Sequence, residues 1–217
     1  MNSRSIAVVG AGAWGMNLIR NFHTLGALRV VCDSALKRLE LVRERYPDVE
    51  CETEFANILK RDDITAVVIA TPAPTHATLV LQALQADKDV FVEKPMALNF
   101  RDGERMVEEA DKRGRILMVG HVLEYHPAIV RLRQLIDAGE LGKLQYIYSN
   151  RLNLGRFRTE ENALWSFAPH DIALMLRLLR EMPKVITCTG GSYLNANVAD
   201  VTVSTFEFAS GVRGHIF

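Results

Sequence analysis

Ile6-Ala-Val-Val-Gly-Ala-Gly-Ala-Trp-Gly15 is the stretch that decides how this chain is read. The four apolar residues ahead of Gly10 have no polar side, the pattern of a parallel strand buried on both faces. Gly10, Gly12 and Gly15 complete a G-x-G-x-x-G turn, and the run from Met16 to Leu25 has helical spacing and closes at Gly26. In such a turn the first glycine permits a tight bend and the second lets the backbone approach a pyrophosphate. The third lets helix and strand pack closely. The helix N-terminus adds unpaired N–H groups and a partial positive charge. A glycine-rich turn can be no more than a turn, so the flanks decide. A second apolar strand, Leu28 to Cys32, ends at Asp33. That is about 20 residues past the glycines, where a dinucleotide fold places the acid for the adenine ribose. An aspartate there accepts hydrogen bonds from ribose hydroxyls and repels a 2′-phosphate, which favours NAD. Lys37 and Arg38 nearby leave NADP as the minority alternative. Gly10, Gly12, Ala13, Trp14, Gly15 and Asp33 are therefore the first candidate cofactor residues.

Working outward, Ala35 to Tyr46 has helical spacing and stops at Pro47, and Glu54 to Lys60 is a short amphipathic helix. Ala66 to Ala70 is another fully apolar strand. Thr71-Pro-Ala-Pro-Thr-His76 follows, where two prolines forbid immediate helix and Thr75 is the expected cap of a helix from His76 to Ala86. Asp89-Val-Phe-Val-Glu-Lys-Pro95 reads as a strand ending in two charges, Phe100 to Arg113 as helix, and Ile116 to Val119 as strand. Strands alternating with helices imply right-handed crossovers and a doubly wound parallel sheet. Gly10, Asp33, Thr71, Glu93 and Lys94 all fall at carboxyl ends of strands, where such sheets bind ligands.

After about residue 120 the pattern changes. Helices are expected over Pro127 to Ala138 and Pro169 to Arg180, and strands over Leu144 to Arg151, Val185 to Tyr193, Val198 to Phe208 and Val212 to Phe217. The prediction is a Rossmann domain over 1–120 and an α+β domain with a mainly antiparallel sheet over 121–217. An apolar strand ending at Phe217 reads as an unprotected edge, so this second domain is expected to be incomplete.

The 217 residues carry 26 basic and 26 acidic side chains, a balance that argues against a nucleic-acid or membrane-surface role. Cys32, Cys51 and Cys188 are widely spaced and odd in number, as for reduced thiols in a cytoplasmic protein. They offer no metal-ligand spacing. No apolar run is long enough to span a bilayer.

Lys94 closes a buried strand and could simply pair with Glu93, or its ammonium could hold a substrate hydroxyl and stabilise the alkoxide. Pro95 after it raises the question of a cis peptide. His170, following Pro169, is expected just inside a helix N-terminus, where the dipole disfavours the imidazolium and leaves a ring able to take a proton. Asp171 is a candidate substrate residue, or an acid favoured in a first helical turn. Arg151, Asn153, Arg156 and Arg158 form either solvated surface or a site for an anionic substrate, since guanidinium forks match phosphate and carboxylate. His121 and His126, with Tyr125, serve packing or substrate contact, with packing favoured for His126.

The glycine fingerprint, Ala70-Thr-Pro-Ala-Pro-Thr-His76, Val92-Glu-Lys-Pro95 and Ala168-Pro-His-Asp171 occur in an order and spacing that resemble the glucose–fructose oxidoreductase/inositol dehydrogenase (Gfo/Idh/MocA) family. Pro-Ala-Pro-Thr-His and Ala-Pro-His-Asp-Ile look most like its nucleotide-sugar branch, the UDP-N-acetylglucosamine or UDP-N-acetylglucosaminuronate 3-dehydrogenases. The resemblance implies Lys94 as the active-site lysine and His170 as the catalytic histidine. It places Thr71, Pro72 and His76 along the nicotinamide half of NAD, with Glu93 beside them. From the residue types themselves, His121, Asn153, Arg156 and Asp171 join Lys94 and His170 as candidate substrate residues. The implied reaction moves a hydride between NAD and a sugar's secondary alcohol, C3 of a nucleotide sugar. A free polyol such as inositol, or non-catalytic NAD binding, is the alternative. The expected partners are that substrate and further copies of the chain through the C-terminal sheet. Ser166 stands where many members carry an Asp four residues before the histidine, which puts an aspartate-assisted proton relay in doubt.

Overall fold

The computed structural model describes residues 5–152 and 162–217, and the chain divides after Gly120 into two compact units. The first runs β1 (Ile6–Val9), α1 (Gly15–Thr24), β2 (Leu28–Cys32), α2 (Leu36–Arg45), β3 (Glu50–Glu52), α3 (Phe55–Leu59) and β4 (Ala66–Ile69). It continues with α4 (His76–Gln85), β5 (Asp89–Val92), α5 (Phe100–Arg113) and β6 (Leu117–Val119). The strands form one parallel sheet in the order β3-β2-β1-β4-β5-β6.

The all-apolar strands follow from helices covering both faces. Val9, Val67 and Ile69 pack in one buried cluster with Val80, Leu84 and Met106, while Val8, Val31 and Val68 pack in another with Ile19 and Leu39. Strand order reverses between β1 and β4, which makes their carboxyl ends the natural ligand crevice. α5 shows how sequence sets an element's bounds. The Asn99 side chain accepts from the Asp102 N–H at 2.9 Å, and Gly114, at φ +60°, ends the helix in the left-handed region.

One expected cap is absent. Thr75 makes no capping bond to α4; it closes a 3-10 turn, Ala73–Thr75, and its hydroxyl donates to the Pro72 carbonyl at 2.7 Å. The two prolines stop the α-helix but admit this tighter turn.

The second unit begins with a 3-10 turn, Val122–Tyr125, then α6 (Pro127–Asp137), β7 (Tyr146–Ser149), α7 (Ala163–Leu179), β8 (Pro183–Gly191), β9 (Val201–Phe208) and β10 (Arg213–Ile216). Its sheet has the order β7-β10-β9-β8. β10 pairs parallel with β7 and antiparallel with β9, and β8 pairs antiparallel with β9. Ala168 and Met175 of α7 pack on Phe206, Phe208 and Ile216. Tyr146, Tyr148 and Ile186 are exposed, and the Tyr148 ring stacks on both Tyr146 and His215. His126 caps α6, its Nδ1 accepting from the Ala128 N–H at 3.2 Å.

α7 corrects an expectation. It does not start at Pro169 but at Ala163, capped by Asn162, whose side chain accepts from the Trp165 N–H at 3.0 Å. Pro169 lies inside the helix. The buried face formed by Ala168, Asp171, Met175 and Leu178 holds it there, because tertiary packing outweighs the lost backbone hydrogen bond. Among the described residues no helix is long and apolar enough to cross a membrane.

Candidate active site

The first unit holds a cleft of about 400 Å³ lined by Gly10, Gly12, Ala13, Trp14, Asp33 and Thr71, among others. Its glycines are required for different reasons. Gly10 has φ +97°, and a Cβ there would lie 2.7 Å from the Ala70 carbonyl oxygen. A Cβ on Gly15 would fall 1.9 Å from the Gly10 oxygen, so α1 can approach β1 only without one. At Gly12 nothing lies within 4 Å of the Cβ position, which leaves open space where α1 begins. That is where a dinucleotide's pyrophosphate approaches the backbone, so the chain fits NAD at this point.

Asp33, 6% exposed, organises the adenosine end. Its Oδ2 accepts from the Ala11 N–H at 2.7 Å and from Arg38 Nη1 at 3.2 Å, and its Oδ1 accepts from the Ala35 N–H at 2.8 Å. One carboxylate thus braces the glycine turn against the start of α2. Arg38, with a half-exposed side chain, lies at the rim of the same cleft. Burial pushes the neighbouring Cys32 thiol up to about 12, with the charges of Glu52, Asp33 and Glu54 adding to the effect.

Past the end of β4, Thr71 and Pro72 line the cleft. The His76 side chain is buried beneath them, its Nδ1 2.8 Å from the Pro95 carbonyl and its Nε2 2.9 Å from the Thr71 carbonyl. It ties the two loops together. The Lys94–Pro95 peptide is cis. Glu93 is 8% exposed, and burial raises its pKa above the usual carboxylate range, against the pull of the Trp14 and Lys94 N–H groups and the charges of Lys94 and His76.

In the second unit His170 lies well inside α7, so the helix N-terminus expected beside it is Ala163's instead. The dipole argument for a neutral ring therefore does not apply, since that field is confined to the first turn. His121 comes to it, with ring centroids 5.8 Å apart and planes at 81°. The 3-10 turn that follows His121 is held to α7 by the Arg177–Glu124 pair at 3.1 Å. Asp171 is buried and faces β7: it accepts from Ser149 Oγ at 2.7 Å and from Arg151 Nε and Nη2, each at 2.9 Å. It therefore positions Arg151 through a bidentate pair, a role that sequence spacing did not disclose. Asn153, Arg156 and Arg158 lie outside the described residues.

A family description, GFO/IDH/MocA oxidoreductase family with NAD-binding Rossmann fold, matches residues 4–121, and the GFO/IDH/MocA C-terminal domain matches 129–217. The chain belongs to the GFO/IDH/MocA oxidoreductase family. Residues 4–121 are accordingly its NAD-binding Rossmann domain. A 2,7-anhydro-N-acetylneuraminate hydratase of Mediterraneibacter gnavus is 28% identical over 88% of this chain and 54% of its own length. An inositol 2-dehydrogenase of Salmonella paratyphi B is 27% identical over 95% of this chain and 64% of its own. The chain therefore spans about half to two thirds of these curated GFO/IDH/MocA relatives. GenD2 from gentamicin A biosynthesis, solved in complex with NAD, superposes with a TM-score of 0.89 at 26% identity, covering 100% of this chain and 65% of that one.

Proposed function

We propose that this chain carries out NAD-dependent oxidation of a secondary alcohol on a sugar or polyol ring. The observation that carries the reading is a single chain combining an NAD cleft at the carboxyl ends of β1, β2 and β4, with Lys94 just past the neighbouring strand β5, and a second unit that presents His170 beside His121. Bound NAD supplies the hydride acceptor. The Lys94 ammonium holds the substrate oxygen and stabilises the negative charge that grows on it. His170 takes the hydroxyl proton at Nε2, because Nδ1 is buried. General-base help of this kind is worth about a hundred- to ten-thousandfold.

Inositol 2-dehydrogenase among the relatives supports a free polyol as substrate. Oxidation at C3 of a nucleotide sugar is the second substrate reading, drawn from the Pro-Ala-Pro-Thr-His and Ala-Pro-His-Asp-Ile motifs and requiring Arg156 and Asn153 for the anionic part. The exposed sheet face with Tyr146, Tyr148 and His215 would serve a homo-oligomer contact in a cytoplasmic enzyme.

The test is NADH formation followed by absorbance with inositols, free sugars and UDP-sugars offered separately. NAD binding with no turnover on any of them would reject the reaction and leave a non-catalytic NAD-binding protein. Lys94→Ala should lower turnover at least a hundredfold with NAD affinity nearly unchanged. Equal loss of both would contradict the role given to Lys94.

A further inference from the structure

Two contacts hold the turn after His121 against α7, and their spacings match. His121 precedes the 3-10 turn Val122–Tyr125, and the Glu124 N–H donates to the His121 carbonyl at 3.0 Å. Residues three apart on such a turn eclipse one another, which lets both side chains face α7. His170 and Arg177 are seven apart on α7, two helical turns, and share one stripe. The pairs meet in order. The His121 and His170 rings stand edge to face with centroids 5.8 Å apart, and Glu124 meets Arg177 at 3.1 Å. Arg133 of α6 adds a third tie, donating to the Leu178 carbonyl at 2.9 Å. The Glu124 and Arg177 side chains are partly exposed, and an ion pair of that kind contributes little to stability. Its consequence is placement, because it fixes where the His121 ring stands against His170.

We propose that His121 is the positioning residue of His170: its ring sets the tilt of the proton-accepting imidazole, and the Glu124–Arg177 pair sets the distance between the two rings. The inference rests on the reading of His170 as the base. Edge to face is a favoured arrangement of aromatic rings at this separation, so each ring restrains rotation of the other. A neighbour that can itself be protonated does more than restrain. The two rings compete for a proton, since the charge of a first imidazolium opposes a second, and a proton held on His121 keeps His170 neutral. His121→Phe would keep the restraint and remove the competition, which separates the two effects. The other charged or titratable groups on the turn, α6 and α7 are engaged with one another. Glu124 pairs with Arg177, Asp171 with Arg151 and Ser149, and Arg133 with Asp137, while His126 caps α6.

The experiment is imidazole NMR on the full chain with isotope-labelled histidine, the His170 signals being identified by their loss in His170→Asn. Without substrate, the His121 and His170 signals should shift together on acidification, in two steps shared by both rings. In His121→Phe the His170 signals should titrate in one step. With a sugar or polyol that is turned over, His121→Ala should lower kcat about tenfold with KM nearly unchanged, part of what a general base contributes. His121→Phe should recover most of that loss yet move the acid limb of the kcat/KM profile to higher pH, a displacement that a merely structural role would not produce. It also keeps the test available where His121→Ala does not fold. Glu124→Arg should lower kcat as His121→Ala does, and adding Arg177→Glu should restore it. A His170 titration identical in the parent and His121→Phe, kcat unchanged by His121→Ala, or a charge swap that restores nothing would each overturn the proposal. Shared titration steps in a chain inactive on every sugar would uphold the pairing of the rings and reject the proton-accepting role, so the two failures are distinguishable.

Discussion

Adding one methyl group at Gly12 and, in a separate variant, at Gly15 should separate cofactor binding from folding. The Cβ of Gly15→Ala would sit 1.9 Å from the Gly10 carbonyl oxygen, a backbone atom that cannot swing aside. A relaxed C···O contact needs about 3.3 Å, so helix and strand must part by roughly 1.4 Å. Overpacking on that scale costs about 3 kcal/mol, at the upper end of the usual range, and lowers Tm by roughly 10 °C. Gly12→Ala meets no atom within 4 Å, and Gly12 is not among the positive-φ glycines, so its Tm should stay within about 2 °C of the parent. Its methyl group, however, points into the space the pyrophosphate needs. Displacing a phosphate from one backbone N–H forfeits a charge-assisted bond of about 1.5–3 kcal/mol, or roughly ten- to a hundredfold in affinity. Thermal unfolding and NAD calorimetry on the two variants read both effects. Wild-type NAD affinity in Gly12→Ala, or equal destabilisation by the two substitutions, would refute the assignment of separate tasks to these glycines.

Two further outcomes follow from buried groups. Asp171→Ala strips the acceptor from Ser149 and Arg151; because the Arg151 side chain is about one third exposed and can rehydrate, the expected loss is about 2 kcal/mol rather than the larger cost of a fully buried pair. Urea unfolding within about 0.5 kcal/mol of the parent would show that the bidentate geometry adds nothing. Cys32 stays protonated in the folded chain up to about 12, against 9.0 as its ordinary value. Its stabilising effect is therefore complete below pH 9 and drains away as pH rises between these values, with a slope approaching about 1.4 kcal/mol per pH unit. Comparing the alkaline stability of the parent with Cys32→Ala isolates this slope, and identical curves would show that burial does not hold the thiol.

The first unit was legible because its physics is local. A strand covered on both faces must be apolar throughout, as Ala66-Val-Val-Ile is, and a glycine turn between such a strand and a helix has few structural meanings. β3 escaped notice because Glu50-Cys-Glu, at the sheet edge, carries no apolar pattern. The contacts of His76 and Glu93 were out of reach for another reason. Pro95 and Gly120, against which they sit, come from other loops and strands, and no periodicity reports such a meeting.

Pro169 shows where local rules mislead about the site itself. A proline followed by an apolar run is the usual sign of a helix beginning, and that reading gave His170 a helix dipole for company. The actual start lies at Asn162-x-x-Trp165, an asparagine cap whose signal is one side chain in a polar stretch. Once the helix is extended back to Ala163, Asp171 turns to the buried face with Ala168 and Met175, at the spacing of one helical stripe. His170, one position earlier, is carried to a different face, where it meets His121. Adjacent residues on a helix do not share a face, so His170 is turned away from Asp171, which is committed to Arg151 and Ser149. With Ser166 where an aspartate is often found in the family resemblance, the group beside the proposed base is a second imidazole, and it is His121, not Asp171, whose replacement should first disturb the orientation of His170.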